Sequence, residues 1–331
     1  MKRKHFFAVT AIAMAGILFS ACTNTSSKMS FTANWYQDTT TKAISENVET
    51  LEYAITANTE GYTGLNDDNV KTTYSGGTYT TTLRSTTLEN GDVAYEYSTS
   101  TEIKVSFFHV ASGESTQVFT DVVTSSVIFT SIYNGGLRPI SSSKTIQSHT
   151  PVNSNPSNKD GCYVYYHYNV TTTYADNTNG TCVLTDFEGN ILGKDSQPQT
   201  TDFSIDTAKY SYLDNEQILF ALRGANTTSN KILAYNASKA KVETLNISFG
   251  SETADTYEFM MNGESKKTSI AAIPVTIQID DINSGGEQKV WYAKTTDVKN
   301  NVYRNVMLKF ENPIPYNIGR MVYTLTSATF A

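Results

Sequence analysis

The sequence predicts a mainly β protein with one short helix packed on its sheet near residues 214–223. Three observations predict it. The 331 residues include 48 Thr and 21 Tyr but only 7 Pro, and 17% are charged, a strand-forming composition rather than a disordered or coiled-coil one. Short alternating runs recur, separated by Gly, Asn and Asp, as half-buried strands and their turns require. One segment alone breaks that alternation with helical spacing. The length easily supplies a core, and the even strand texture predicts a single β domain over 47–331, preceded by a polar tether over 22–46.

The strand runs come in order. Thr50 to Ala57, Gly77 to Leu83, Val93 to Val110, Val118 to Tyr133, Cys162 to Tyr174 and Thr181 to Phe187 alternate in the first half. Asn90-Gly91-Asp92, Asn134-Gly135-Gly136 and Glu188-Gly189-Asn190 mark turns. Ser141 to Asp160, with Pro151 and Pro156, has no period and is read as a long loop. The helix follows. Asp214 stands as its N-cap with Gln217 three positions on, a capping-box spacing. Glu216 and Arg223 suit the two ends of the dipole, Gly224 suits a left-handed C-terminal position, and Ile218, Leu219 and Leu222 share a face. Strand runs then resume as Ile232 to Ala234, Lys241 to Phe249, Thr256 to Met261, Ile273 to Asp280, Gln288 to Thr295, Tyr303 to Phe310 and Met321 to Thr329.

The first residues carry an address. Lys2, Arg3 and Lys4 precede the apolar run Phe6 to Phe19, which is too short for the roughly 20 residues of a membrane span. It ends in Leu18-Phe19-Ser20-Ala21-Cys22. This resembles the lipobox of bacterial lipoproteins, with Phe19 standing where Leu is usual. The resemblance implies cleavage before Cys22, removal of residues 1–21 and a diacylglyceryl group on the Cys22 thiol, a two-chain anchor strong enough for stable attachment. The other reading is an ordinary secretory signal with a cysteine by chance. The expected location is extracytoplasmic, on the cell membrane or on an outer membrane where the envelope has one. Loss of residues 1–21 takes three basic residues and leaves 22 against 32 acidic, a net charge of −10. So acidic a chain, without a basic cluster, is a poor partner for nucleic acid or anionic headgroups, so the lipid is the expected membrane contact.

Cys162 and Cys182 remain for an exported chain that could oxidise them. A hairpin turning at Ala175 to Gly180 sets Cys182 opposite Thr173 or Tyr174. Cys162 then lies roughly 35 Å away along the strand, beyond any bridge. Two buried free thiols are expected unless the strand folds back.

Four stretches carry a further resemblance. They are Glu49-Thr50-Leu51-Glu52-Tyr53, Tyr212-Leu213-Asp214 through Leu222-Arg223, Ile273 to Ile277 with Val290-Trp291-Tyr292, and Arg304 to Leu308 with Gly319 to Leu325. In that order they resemble a family of uncharacterised exported bacterial proteins, similar in fold to the Lol-type lipoprotein-carrier half-barrels. The resemblance implies a curved antiparallel sheet wrapped partway round a helix, with an apolar concave face that holds acyl chains. Leu219, Leu222, Ile277 and Leu308 are the expected pocket residues. The bland alternative for each is plain core packing.

Catalytic and metal motifs are missing. The four histidines form no His-x-x-x-His pair, and no Cys-x-x-Cys, Gly-x-Ser-x-Gly or phosphate-cradling loop occurs. Asp280 to Gly286 lacks the alternating oxygen ligands of a calcium loop and reads as an acidic turn, as does Asn66 to Asn69. No catalytic residue, metal or cofactor is expected. The expected function is a non-enzymatic, membrane-anchored lipoprotein that binds a lipid or other hydrophobic ligand. The alternative is an adhesion or complex-assembly module using Tyr163, Tyr165 and Tyr166 in the Tyr/Thr-rich middle, with an unspecified protein partner. A hydrolase is a third option.

Overall fold

A computed structural model describes residues 28–31, 47–60, 69–132, 136–152, 155–176, 178–226, 228–236, 241–279, 286–293, 303–314 and 318–330. Cys22, residues 23–27 of the tether, Asn66 to Asp68 and Asp280 to Gly285 lie outside them. The first half is an antiparallel meander. β1 (Asn47–Asn58), β2 (Val70–Thr87), β3 (Val93–His109), β5 (Phe119–Ile132), β6 (Gly136–Pro151), β7 (Tyr163–Tyr174), β8 (Asn179–Asp186) and β9 (Gln199–Ser204) each pair with the next. A two-residue β4 (Glu114–Ser115) clips the end of β3.

The second half continues the same sheet from the other edge of β1. There β17 (Gly319–Phe330) pairs with β1, followed by β16 (Met307–Ile314), β15 (Gln288–Tyr292), β14 (Glu264–Ile279), β12 (Lys241–Phe249) and β11 (Asn230–Asn236). The short β10 (Ser211–Leu213) runs parallel to β11. The curved antiparallel sheet expected from the sequence is present, and part of it closes fully. β13 (Thr253–Met261) pairs with β14 on one side and, in parallel at Met260↔Ser327 and Met261↔Ala328, with β17 on the other. The five strands β13 to β17 thus form a closed ring, and the remaining strands extend it into a wider curved wall.

The wall's two free ends meet through side chains. Phe203 of β9 stacks on Tyr235 of β11 with ring centres 4.1 Å apart. Tyr174 of β7 and Tyr212 of β10 share a hydroxyl hydrogen bond of 2.6 Å. Close packing at one bulge explains a glycine: a Cβ on Gly77 would lie 2.0 Å from the Glu102 carbonyl oxygen.

Between the ends of the wall lies the helical segment. A single α-helical turn, α1 (Ile218–Ala221), is flanked by 3₁₀ turns at Asn215–Gln217 and Leu222–Gly224. Asp214 caps it as expected, accepting from the Glu216 amide at 2.8 Å. Two details differ from the expectation. Gln217 is fully buried and its side-chain atoms make no hydrogen bond, so no capping box closes. Gly224 is a buried 3₁₀ residue rather than a left-handed cap, and the chain leaves through an extended Ala225. Phe220 drives the docking, packed 5.2 Å from Tyr97 and 5.0 Å from Phe129.

Three further sequence expectations are corrected. Ser141 to Pro151 is not loop but the second half of β6. The tether contains a docked piece: Met29 and Phe31 are buried in the main core, and Phe31 bridges to Ala225. Cys182 pairs with Thr172, one residue from the expected register. Both remaining cysteines are buried and free, as the strand geometry implied.

Candidate functional site

The curved wall borders a cavity of about 820 Å³, partly open to solvent, beside the helical segment. Its floor is apolar: Tyr79, Tyr97, Ile218, Leu219, Leu245, Ile277, Phe310 and Tyr323 all line it. Along β3, Tyr97, Thr99, Thr101 and Ile103 line it at alternate positions, so the pleat turns one face of the strand inward. Polar side chains share the lining, among them Thr99, Thr101, Ser125, Ser148, Asn215, Asn236, Gln288 and Asn312. A smaller cavity of about 250 Å³ adjoins it, and Lys144, Ile146, Asn215, Glu216 and Asn236 line both.

Lys144 and Glu216 therefore stand at the neck. Lys144 projects from β6 and places Nζ 3.0 and 3.2 Å from the two Glu216 carboxylate oxygens. Burial opposes charge on both groups, yet each holds the other ionised. The carboxylate lifts the Lys144 pKa above its ordinary value, and the ammonium lowers that of Glu216. Asp214 lies behind them. Burial pushes its carboxyl up, against hydrogen bonds donated by Tyr174 at 2.6 Å and Ser142 at 2.7 Å. Tyr174 itself is pushed well above the ordinary phenol range by burial and by Asp214, so its proton stays on and is donated.

A second buried polar node fixes the segment from its other end. Arg223 binds Glu49 of β1 through two hydrogen bonds of 2.6 and 2.8 Å, with both side chains almost fully buried. Arg223 also donates to the carbonyls of Arg304 and Asn305, and the Asn305 amide returns a bond to the Arg223 carbonyl. Tyr53 donates to the Met307 carbonyl and Tyr292 to that of Leu219, each at 2.8 Å. Two of these partners, Arg304 and Asn305, hold left-handed backbone angles of 48° and 51°. Polar side chains from Glu49, Tyr53, Arg223, Tyr292 and Asn305 thus weld the helical segment to the sheet. It forms a fixed floor for the cavity.

The four expected pocket residues divide. Leu219 and Ile277 line the large cavity. Leu222 and Leu308 are completely buried in the main core and line neither cavity. The three tyrosines are half-buried. Tyr163 packs on Phe107 at 5.3 Å and Phe119 at 4.8 Å, within a small satellite core, so it is not a free surface ring. Tyr165 joins a row of rings with His149, His167 and the exposed Phe187. His149 donates to Asp121 at 2.7 Å, and His109 is held by Ser112 and the Pro156 carbonyl. Among the described residues no three His, Cys, Asp or Glu side chains gather as metal ligands do. Lys144, Glu216 and the polar half of the lining escaped sequence reading. Ser142, Lys144, Ile146 and Ser148 alternate along β6, but mostly polar residues give no hydrophobic period to detect.

By its own strand pairing the chain is a β-barrel-like protein with an internal cavity. No protein-family model and no curated protein sequence matches it. Among solved structures it is similar to a β-barrel-like protein of the domain of unknown function DUF1849 from Brucella abortus. The two share 11% identity at a TM-score of 0.46, over 87% of this chain and 100% of that one.

Proposed function

We propose that this is a non-enzymatic, membrane-anchored lipoprotein of the bacterial envelope that holds one lipid or similar amphiphile inside the barrel. The observation that carries the reading is the 820 Å³ cavity whose lining combines apolar side chains with hydroxyl and amide groups. Its volume falls within the roughly 300–1,000 Å³ of small-molecule sites. Plain core packing would fill such space with side chains. The floor is held by buried hydrogen bonds, which favours a preformed site over one opened by its ligand.

The test is a titration with an environment-sensitive apolar fluorophore, competed by long-chain amphiphiles. Saturable binding at one equivalent is expected. Leu219→Trp, which adds bulk into the cavity, is expected to weaken binding by roughly tenfold or more. Fluorescence that rises without saturation, or is indifferent to the tryptophan, would remove the reading.

Anchoring is a separate part of the proposal and rests on the residues around Cys22. Cys22→Ser is expected to leave an unlipidated, uncleaved precursor that no longer enters the detergent phase in a phase-partition assay. Normal processing of that variant, with no lipid on the wild type, would point to an ordinary secretory signal.

A further inference from the structure

Charge pairing within the cavity wall bears on the headgroup that fits there. Among the described lining residues of the large cavity, the charged side chains are Lys144, Glu216 and Glu243. Lys144 and Glu216 are engaged with each other at 3.0 Å. Glu243 is held by the Asn236 amide at 2.8 Å and by Lys241 at 3.4 Å. Each lining carboxylate thus has a cationic partner, Lys144 within the wall and the half-exposed Lys241 outside it. Hydroxyls and carboxamides make up the rest of its polar surface, among them Thr101, Ser148, Asn215, Gln288 and Asn312. Each retains donor or acceptor capacity beyond its internal bonds.

A charged headgroup entering this space gives up its hydration and meets no uncommitted opposite charge. To pair with Lys144 it must displace Glu216, stranding a carboxylate in a half-dry wall. Such an exchange is unfavourable when one partner of a desolvated pair is left behind. An uncharged head exchanges water hydrogen bonds for those of hydroxyls and amides at little net cost.

We infer that the cavity selects an amphiphile whose head is uncharged and bears hydroxyl or amide groups, and that the Lys144–Glu216 pair is the element that turns away both a free carboxylate and a free amine. This rests on the cavity being a ligand site at all. The two ionised groups at the neck act as a matched gate: each is a charge trap only when the other is gone.

The probes share one oleyl chain and differ in the head: monooleoylglycerol, oleyl glucoside, oleate and oleylamine. Affinities are measured at neutral pH, below the concentration at which each probe aggregates. For the wild type, one or both uncharged probes are expected to bind at least about tenfold more tightly than oleate and oleylamine. Which uncharged probe binds separates an acylglycerol from a glycolipid. Glu216→Gln frees Lys144 and is expected to strengthen oleate by about tenfold. Lys144→Met is expected to do the same for oleylamine. If Glu216→Gln fails to fold, Lys144→Met with oleylamine carries the test of the pair. Equal wild-type affinity for charged and uncharged probes, or variants that leave the ranking unchanged, would overturn the inference while leaving the cavity a ligand site. Binding of none of the four would remove both.

Discussion

Arg223 and Glu49 show most directly how single residues hold the site in place. Their pair is bidentate, almost fully buried and backed by three backbone carbonyl or amide contacts. A buried pair is no surplus of stability, since both ions were desolvated to make it, but removing one partner leaves a bare charge in the core. Arg223→Met is therefore expected to cost about 3–5 kcal/mol in denaturant unfolding, and Glu49→Gln a similar amount. A double variant with apolar residues at both positions is expected to cost clearly less than the sum. Strict additivity would mean that the two groups do not act as a pair.

At the scale of elements, the helical segment is held to β6 by the Lys144–Glu216 pair, and this link has a pH signature. Glu216 has a lowered pKa in the folded chain, so it contributes stability that is present above its unfolded value of about 4.3 and is lost as pH falls through the folded value. Lys144 has a raised pKa, so its contribution is present below about 10.4 and is lost as pH rises through the folded value. Wild type minus Glu216→Gln, followed by thermal unfolding, should show a plateau between these limits and a fall on both sides. A flat difference from pH 3 to 11 would dissociate the two groups.

The same elements explain what could be read from the chain. Strands with apolar inward faces, such as Val93 to His109 and Gly319 to Phe330, were legible because their alternation is hydrophobic. So was the start of the helical segment, because Asp214 does make its cap. β6 was not legible. Its inward residues Ser142, Lys144 and Ser148 face a cavity and not a core, so the period-two signal vanishes where the site is. The docked Met29 and Phe31 were hidden for a different reason, being two apolar residues in a polar stretch whose partners lie about 200 residues away in sequence, a separation local patterns do not report. Leu222 and Leu308 pack in the core instead of lining the cavity, a distinction that a shared helical or strand face does not carry.

At the scale of the molecule, one continuous sheet serves two purposes. Strands β13 to β17 close into a ring, and Ile277, Gln288, Phe310, Asn312 and Tyr323 on those strands line the cavity. The meander β2 to β9 curls round and stops short of closure, bridged by ring stacking and by the bonds of Tyr174 to Tyr212 and to Asp214. The helical segment gives Phe220 and Leu222 to the packed core and Ile218 and Leu219 to the cavity. A ligand held in that cavity is the central claim, and native mass spectrometry of the full protein, purified in mild detergent, tests it most directly. The expected spectrum carries one non-covalent amphiphile per chain, released on collisional activation and distinct from any covalent lipid at Cys22. Leu219→Trp should lower that occupancy. A spectrum of ligand-free protein alone, unchanged after incubation with an amphiphile that saturates other lipid carriers, would contradict a lipid-holding barrel.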